Sequence, residues 1–245
     1  MAGAAGGYRH FHDELAVLKQ RLLAMSERAE SLVELSIEAL YERDANKAQA
    51  VIDADRDLDT LEVEAEDLAI SLLALQQPMA RDLRFLIGAI KVSSDIERIG
   101  DHAVNIAQGA IKLVEAGAPI PSVPSLAEMA RSARIMLRDA LDAFIRADGT
   151  LGRAVKKADV QVDALHDGVF RDLLTHMIGD PKTIAPSLEL LLVSRNLERV
   201  ADLATNIGED AVYLAEGKQI RHQFDLANND NASANASPND TGITA

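Results

Sequence analysis

The chain has 245 residues, a formal net charge of −14, 48% apolar and 26% charged residues, and no Cys. That charge opposes nucleic-acid backbones and anionic lipid and suits cations or a basic partner; zero Cys excludes disulfides, thiolate metal sites and a Cys nucleophile. Aromatic residues are 3% and Trp is absent, so the core is aliphatic, a palette that favours helices over sheets.

In chain order, the first apolar stripe is Leu15, Leu18, Leu22, Met25, Ala29 and Leu32, a three-four spacing that predicts a bundled helix. Arg43-Asp44-Ala45-Asn46 ends it. Helix two stops at Gln76-Gln77-Pro78, where Pro cannot continue the hydrogen-bond ladder. Helix three runs to Gly117, after which Pro119, Pro121 and Pro124 form the strongest break in the chain. Helix four carries the stripe Met129, Ala133, Met136, Ala140, Ala143 and Ala147. Asp148-Gly149-Thr150 and Gly179-Asp180-Pro181 delimit helix five, and the sixth stops near Gly217.

The expected fold is all-α, with six long helices in two tandem, sequence-related three-helix bundles. They occupy residues 1–117 and 125–220, with a Pro-rich linker at 118–124. Residues 221–245 are polar and small and read as a disordered tail, because they cannot bury enough surface to offset ordering. No segment approaches the ~18–20 apolar residues of a membrane span, and the first residues lack the pattern of a secretory signal. The expected location is the cytoplasm.

The bundles are related by duplication. SSDIERIGDHAVNIAQ (93–108) aligns without a gap on SRNLERVADLATNIGE (194–209), with 8 identities in 16 over 91–106 against 192–207. Glu97, Asp101 and Asn105 map onto Glu198, Asp202 and Asn206 at an offset of 101. Asp55 and Asp59 map onto Asp159 and Asp163 at an offset of 104. The small difference falls in the loop between the second and third helix of each set.

Carboxylates four apart on a helix repel each other, so the spacing needs a reason. At ~100° per residue from Ile96, Glu97, Asp101 and Asn105 fall near 100°, 140° and 180°, on the flank of a face holding Ile99, Gly100, Ala103 and Ile106. Leu197, Val200, Ala204 and Ile207 form the same face in the second copy. Asp55 and Asp59 lie at the edge of the face built by Leu58, Leu61 and Ala65. An antiparallel neighbour would bring two such ridges together, four carboxylates to a groove. That is costly unpaired and favourable around a multivalent cation. All-oxygen ligands suit iron, manganese, magnesium or calcium, with less reason for zinc.

Further ligand candidates are Asn105 and Asn206, together with His166, whose repeat counterpart is Glu62. His10, His12 and His102 have no nameable partner. Arg98 and Arg199 follow the Glu of each motif and point elsewhere, able to bridge to another helix. Gly100, with Ala201 as its equivalent, permits close helix approach. Catalytic residues: none. The sequence holds no Gly-rich phosphate loop, nucleophile elbow or triad.

LLALQQPMARDLRFLIGAIKVSSDIERIGDHAVNIAQ (72–108) resembles the signature of the PhoU family. Phe11-x-x-Glu14-Leu15, a later Met, Pro78-x-Ala80-x-Asp82-Leu83-Arg84 and both E/D-x-x-x-D motifs carry the resemblance over residues 10–220. It implies two tandem three-helix bundles with metal sites, multinuclear in some members, holding iron, zinc or manganese. By position one site would use Asp55, Asp59, Glu97 and Asp101, and the other Asp159, Asp163, Glu198 and Asp202. It also implies a non-enzymatic negative regulator of the phosphate-starvation response. Such a protein couples the ATPase subunit of the high-affinity phosphate ABC transporter to a sensor histidine kinase. Such members are homodimers that reach the membrane through partners and bind no nucleic acid. Asp82-Leu83-Arg84 has no counterpart in the second copy, where Thr183-Ile184-Ala185 stand. Two other classes stay open, a carboxylate-bridged metal enzyme and a purely structural helical scaffold.

Overall fold

The computed structural model describes residues 2–117 and 120–220, and side chains from residue 10 onward. Six long helices account for nearly all of it: α1 (Ala2–Glu42), α2 (Ala45–Gln76), α3 (Ala80–Ala116), α4 (Pro124–Arg146), α5 (Gly149–Gly179) and α6 (Ile184–Glu216). Among the described residues there is no strand. The tail expected at 221–245 lies outside them, as do linker residues 118 and 119.

The duplication holds to the level of single hydrogen bonds. At the α1–α2 turn Arg43 is left-handed (φ 55°), and at the α4–α5 turn its equivalent Ala147 is too (φ 53°). Each is followed by an Asp whose backbone N–H donates into the preceding helix, Asp44 to the Ala39 carbonyl at 3.0 Å and Asp148 to the Ala143 carbonyl at 2.8 Å. The same Asp side chains then cap the next helix. Asp44 accepts from the amides of Asn46 and Lys47, and Asp148 from those of Thr150 and Leu151, all at 2.9–3.0 Å. Such caps satisfy donors that a helix start leaves unpaired. The repeats diverge where the offset changes. The first turn of α3 corresponds to a separate 3-10 turn, Pro181–Thr183, before α6.

The apolar stripes read from sequence are the core. Leu15, Leu18, Leu22, Met25, Ala29 and Leu32 of α1 are buried, as are Met129, Ala133, Met136, Ala140 and Ala143 of α4; Ala147, the last of that stripe, is instead the half-buried C-cap of α4. The repeats do not keep separate cores, because α3 packs along α6 as well as against its own bundle, and α1 touches α4. Phe144 of α4 is fully buried and stacks on Phe85 of α3 at 5.5 Å. It lies over Gly88, where a Cβ would come within 2.8 Å of the ring. Arg134 of α4 donates to Glu34 of α1 at 2.6 Å. The segment between the repeats joins in: Val123 is buried, and Pro124 is already the first residue of α4. Proline suits that position, having no N–H to leave unpaired.

Candidate functional site

Pairing of α2 with α3 and of α5 with α6 brings the acidic ridges together. The α2–α3 groove gathers Asp55, Asp59 and Glu62 from one helix and Glu97 and Asp101 from the other. The α5–α6 groove gathers Asp159, Asp163 and His166 with Glu198 and Asp202. In each the helical face behind is apolar. Ile96, Ile99, Gly100 and Ala103 are buried behind the first, and Leu197, Val200, Ala201 and Ala204 behind the second.

Helix approach at the first groove depends on Gly100. A Cβ there would fall 2.5 Å from Leu58 Cδ2 and 2.8 Å from Asp55 Oδ1, so the Asp55 carboxyl leans across the glycine. In the second repeat Ala201 replaces Gly100 and Val162 replaces Leu58. A larger residue on α6 is met by a smaller one on α5, which keeps the two grooves alike.

Like charges and partial burial dominate the electrostatics. Glu97 is pushed from 4.5 to about 7, first by burial and then by Asp101, Glu62, Asp59 and Asp55. Asp55 rises from 3.8 to about 6 through burial, Asp59 and Asp101. Burial likewise raises Glu62, with Glu66 next and the nearby Ser94 hydroxyl opposing. Among the described residues no cation is a leading contributor to any of these three. In the second groove Asp159 rises from 3.8 to about 6 through burial, Asp163 and Asp202, and the Thr205 hydroxyl offsets part of it. Burial and Glu198 raise Asp163, and His166 opposes. Carboxyls held above their usual range by burial and then by neighbouring carboxyls are poised to give up protons to a cation.

The donor chemistry fits a metal. Four carboxylates line each groove, with Glu62 beside the first and His166 beside the second. His166 Nε2 stands 3.9 Å from Glu198, and its Nδ1 is buried with no hydrogen-bond partner among the described residues. As the side chains stand, no three His, Asp or Glu among the described residues converge on one ligand point, so closing either set takes rotations about side-chain bonds. The first groove offers oxygen alone. The second adds an imidazole and suits zinc better.

Several sequence expectations shift. Asn105 lines a different groove, between α3 and α6; its wheel angle, furthest from the core, carries it past the carboxylates. Asn206 is half-buried at the equivalent register of α6. Among the described residues Arg199 does not bridge to another helix. It donates to Asp202 of its own helix at 3.0 Å, whereas Arg98 lies 3.7 Å from Asp95. The cause is readable: three residues before Arg98 stands Asp95, and three before Arg199 stands Asn196, which cannot form an ion pair. His102 does have a partner, since its Nδ1 lies 2.9 Å from Asn196 Oδ1. His10 pairs with Glu14 at 3.5 Å, and the ring of His12 lies against Phe11.

The fold and grooves define a class: an all-α protein of two fused three-helix repeats, each presenting a carboxylate groove between its second and third helices. The PhoU domain model matches residues 22–110 and again 126–211, one match per repeat, and the chain belongs to the PhoU family. A protein of Caulobacter vibrioides named phosphate-specific transport system accessory protein PhoU homolog is 40% identical over 215 residues, 88% of this chain and 94% of that one. A Rhizobium meliloti protein of the same name is 37% identical over 209 residues, 85% of this chain and 88% of its own. The crystal structure of PhoU from Pseudomonas aeruginosa superposes with a TM-score of 0.81 at 35% identity. That match covers 85% of this chain and 100% of the other. The phosphate transport system regulatory protein PhoU from Streptococcus pneumoniae gives 0.79 at 28% identity, with 86% and 99% covered.

Proposed function

We propose that this protein is a non-enzymatic negative regulator of the phosphate-starvation response. It couples the ATPase subunit of a high-affinity phosphate ABC transporter to a sensor histidine kinase. The observation that carries the reading is similarity over both repeats to relatives named as accessory or regulatory proteins of phosphate transport. No helix among the described residues is long and apolar enough to cross a membrane, which supports contact with the membrane through partners. The working unit is a homodimer in the cytoplasm.

Each acidic groove holds metal. Asp55, Asp59, Glu97 and Asp101 form the first ligand set, with Glu62 beside it, and favour iron or manganese. Asp159, Asp163, Glu198 and Asp202 form the second, with His166 beside it, and accept zinc as well. When bound, the metal supplies positive charge that cancels the carboxylate repulsion and fixes the spacing of the two helices. The chain's own part is to hold the carboxyls on rigid helices whose opposite faces are locked in the core. Partners then meet a defined surface.

The test is a chromosomal deletion read by a phosphate-starvation reporter and by phosphate uptake, with alleles altered in both grooves alongside. Loss of repression in phosphate-rich medium is the expected result. A deletion strain that stays repressed with unchanged uptake contradicts the regulator reading. Groove alleles that behave as wild type would favour the purely structural scaffold.

A further inference from the structure

The α3–α6 seam carries a second groove whose charge runs against that of the molecule. It has a volume of about 410 Å³ in a chain of net charge −14. Lys112 comes from α3, Arg195 and Arg199 come from α6, and Glu189 is the one acid among its lining residues. Three cations line it; Lys112 is matched by Glu189 and Arg199 by Asp202, so Arg195 carries its excess positive charge.

These side chains are differently engaged. Lys112 lies 3.6 Å from Glu189 at one end. Arg199 donates to Asp202, an exposed pair three residues apart, of a kind that contributes little. Arg195 is exposed and forms no ion pair among the described residues. The neutral polar side chains are better fixed. Asn196 Nδ2 donates to the Leu192 carbonyl at 2.8 Å, which turns its Oδ1 toward His102 Nδ1 at 2.9 Å. That contact places the proton on Nδ1 and holds the imidazole at the groove wall. Gly109 lets the helices close up, since a Cβ there would lie 3.3 Å from Val193 Cγ2.

We propose that this groove binds a phosphate-class oxyanion, either inorganic phosphate or the phosphoryl group of a phosphomonoester. Two guanidinium forks can grip a tetrahedral oxyanion through paired N–H donors, and an ammonium adds a point charge. No Phe, Tyr or Trp lines the groove, so the recognition argued here is of the oxyanion alone. The assignment rests on the groove and not on the regulator reading. The transcription reporter described above tests that reading separately.

The experiment is calorimetric titration of the full chain at fixed ionic strength, with sodium phosphate in one arm, O-phosphoserine in another and sodium chloride as control. Binding tighter than about 1 mM is expected in at least one phosphate arm. Arg195→Ala and Arg199→Ala should each weaken it by about tenfold. Arg195→Lys should weaken it less, and Arg138→Ala, on the exposed face of α4, should not change it. If an alanine variant melts early, Arg195→Lys and Lys112→Gln supply the comparison. Binding of O-phosphoserine alone assigns the groove to a phosphorylated group and supports the proposal; binding of inorganic phosphate assigns it to the free ion. Absence of binding in both arms up to about 10 mM overturns it. So does binding that the Arg195 and Arg199 variants retain at full strength.

Discussion

Glu97→Gln, examined in chelator-treated protein, tests whether the acidic grooves oppose the fold. Burial and four neighbouring carboxylates hold Glu97 at about 7 instead of 4.5, so the folded state keeps this proton where the unfolded chain releases it. For a carboxyl with a raised folded value the sign is fixed. Its contribution is undiminished below the unfolded value and is lost as pH climbs through the folded one. A sealed carboxyl with that rise would cost roughly 3 kcal/mol at alkaline pH. Glu97 is half-exposed, and solvent screening leaves about 1 kcal/mol. In a chain of this length ~1 kcal/mol moves the melting temperature by about 2–4 °C. The neutral isostere is therefore expected to melt about 2–4 °C above wild type near pH 8. The gap should open as pH rises from 4.5 toward about 7 and vanish below. Thermal melts followed by circular dichroism across that range measure it. A variant that melts below wild type near pH 8, or a gap independent of pH, would refute the electrostatic account.

Gly100→Ala drives a Cβ into Leu58 and Asp55. Overpacking of about 1–3 kcal/mol should outweigh the ~1 kcal/mol gain in helix propensity. Adding Leu58→Val recreates the Ala201–Val162 pair and should recover most of the loss in a denaturation double-mutant cycle; no recovery contradicts the pairing. Phe144→Ala removes a buried ring shared by both repeats and is expected to cost ~3–5 kcal/mol while unfolding stays a single transition. Two separate transitions would show independent bundles. Asn196→Asp gives Arg199 a carboxylate where Arg98 has Asp95, and should draw it off Asp202. Arginine side-chain NMR or a crystal structure of the variant reads this, and a retained Arg199–Asp202 pair counts against it.

The helices and their core faces were legible because they follow from local spacing. Leu18, Leu22, Ile96, Leu197 and Ile207 fall on stripes that any helical wheel finds, and all are fully buried. The carboxylate grooves were legible because the duplication placed the same residues twice beside the same apolar faces. The pairing between repeats was not. A wheel gives the buried side of α3 without saying that α6 covers part of it, so Phe144 over Gly88 and His102 against Asn196 had no sequence signal. Asn105 lines the α3–α6 groove for the same reason, sitting where one helix turns from its own groove toward the partner repeat. The differing fates of Arg98 and Arg199 were recoverable in principle, from Asp95 in one copy and Asn196 in the other. Of the cations in the α3–α6 groove only Arg199 repeats, as Arg98; Arg195 stands against Ser94 and Lys112 against Tyr213, so comparing the copies does not reveal the groove.

The most direct test of the central claim is a metal count on protein purified without chelator. It compares wild type with Glu97→Gln plus Asp101→Asn, and with Glu198→Gln plus Asp202→Asn. The account expects bound metal in wild type, loss of one groove's share in each double variant, and zinc retained better by the groove that contains His166. Wild-type protein with no more than trace metal, or double variants that keep the full wild-type content, would contradict it.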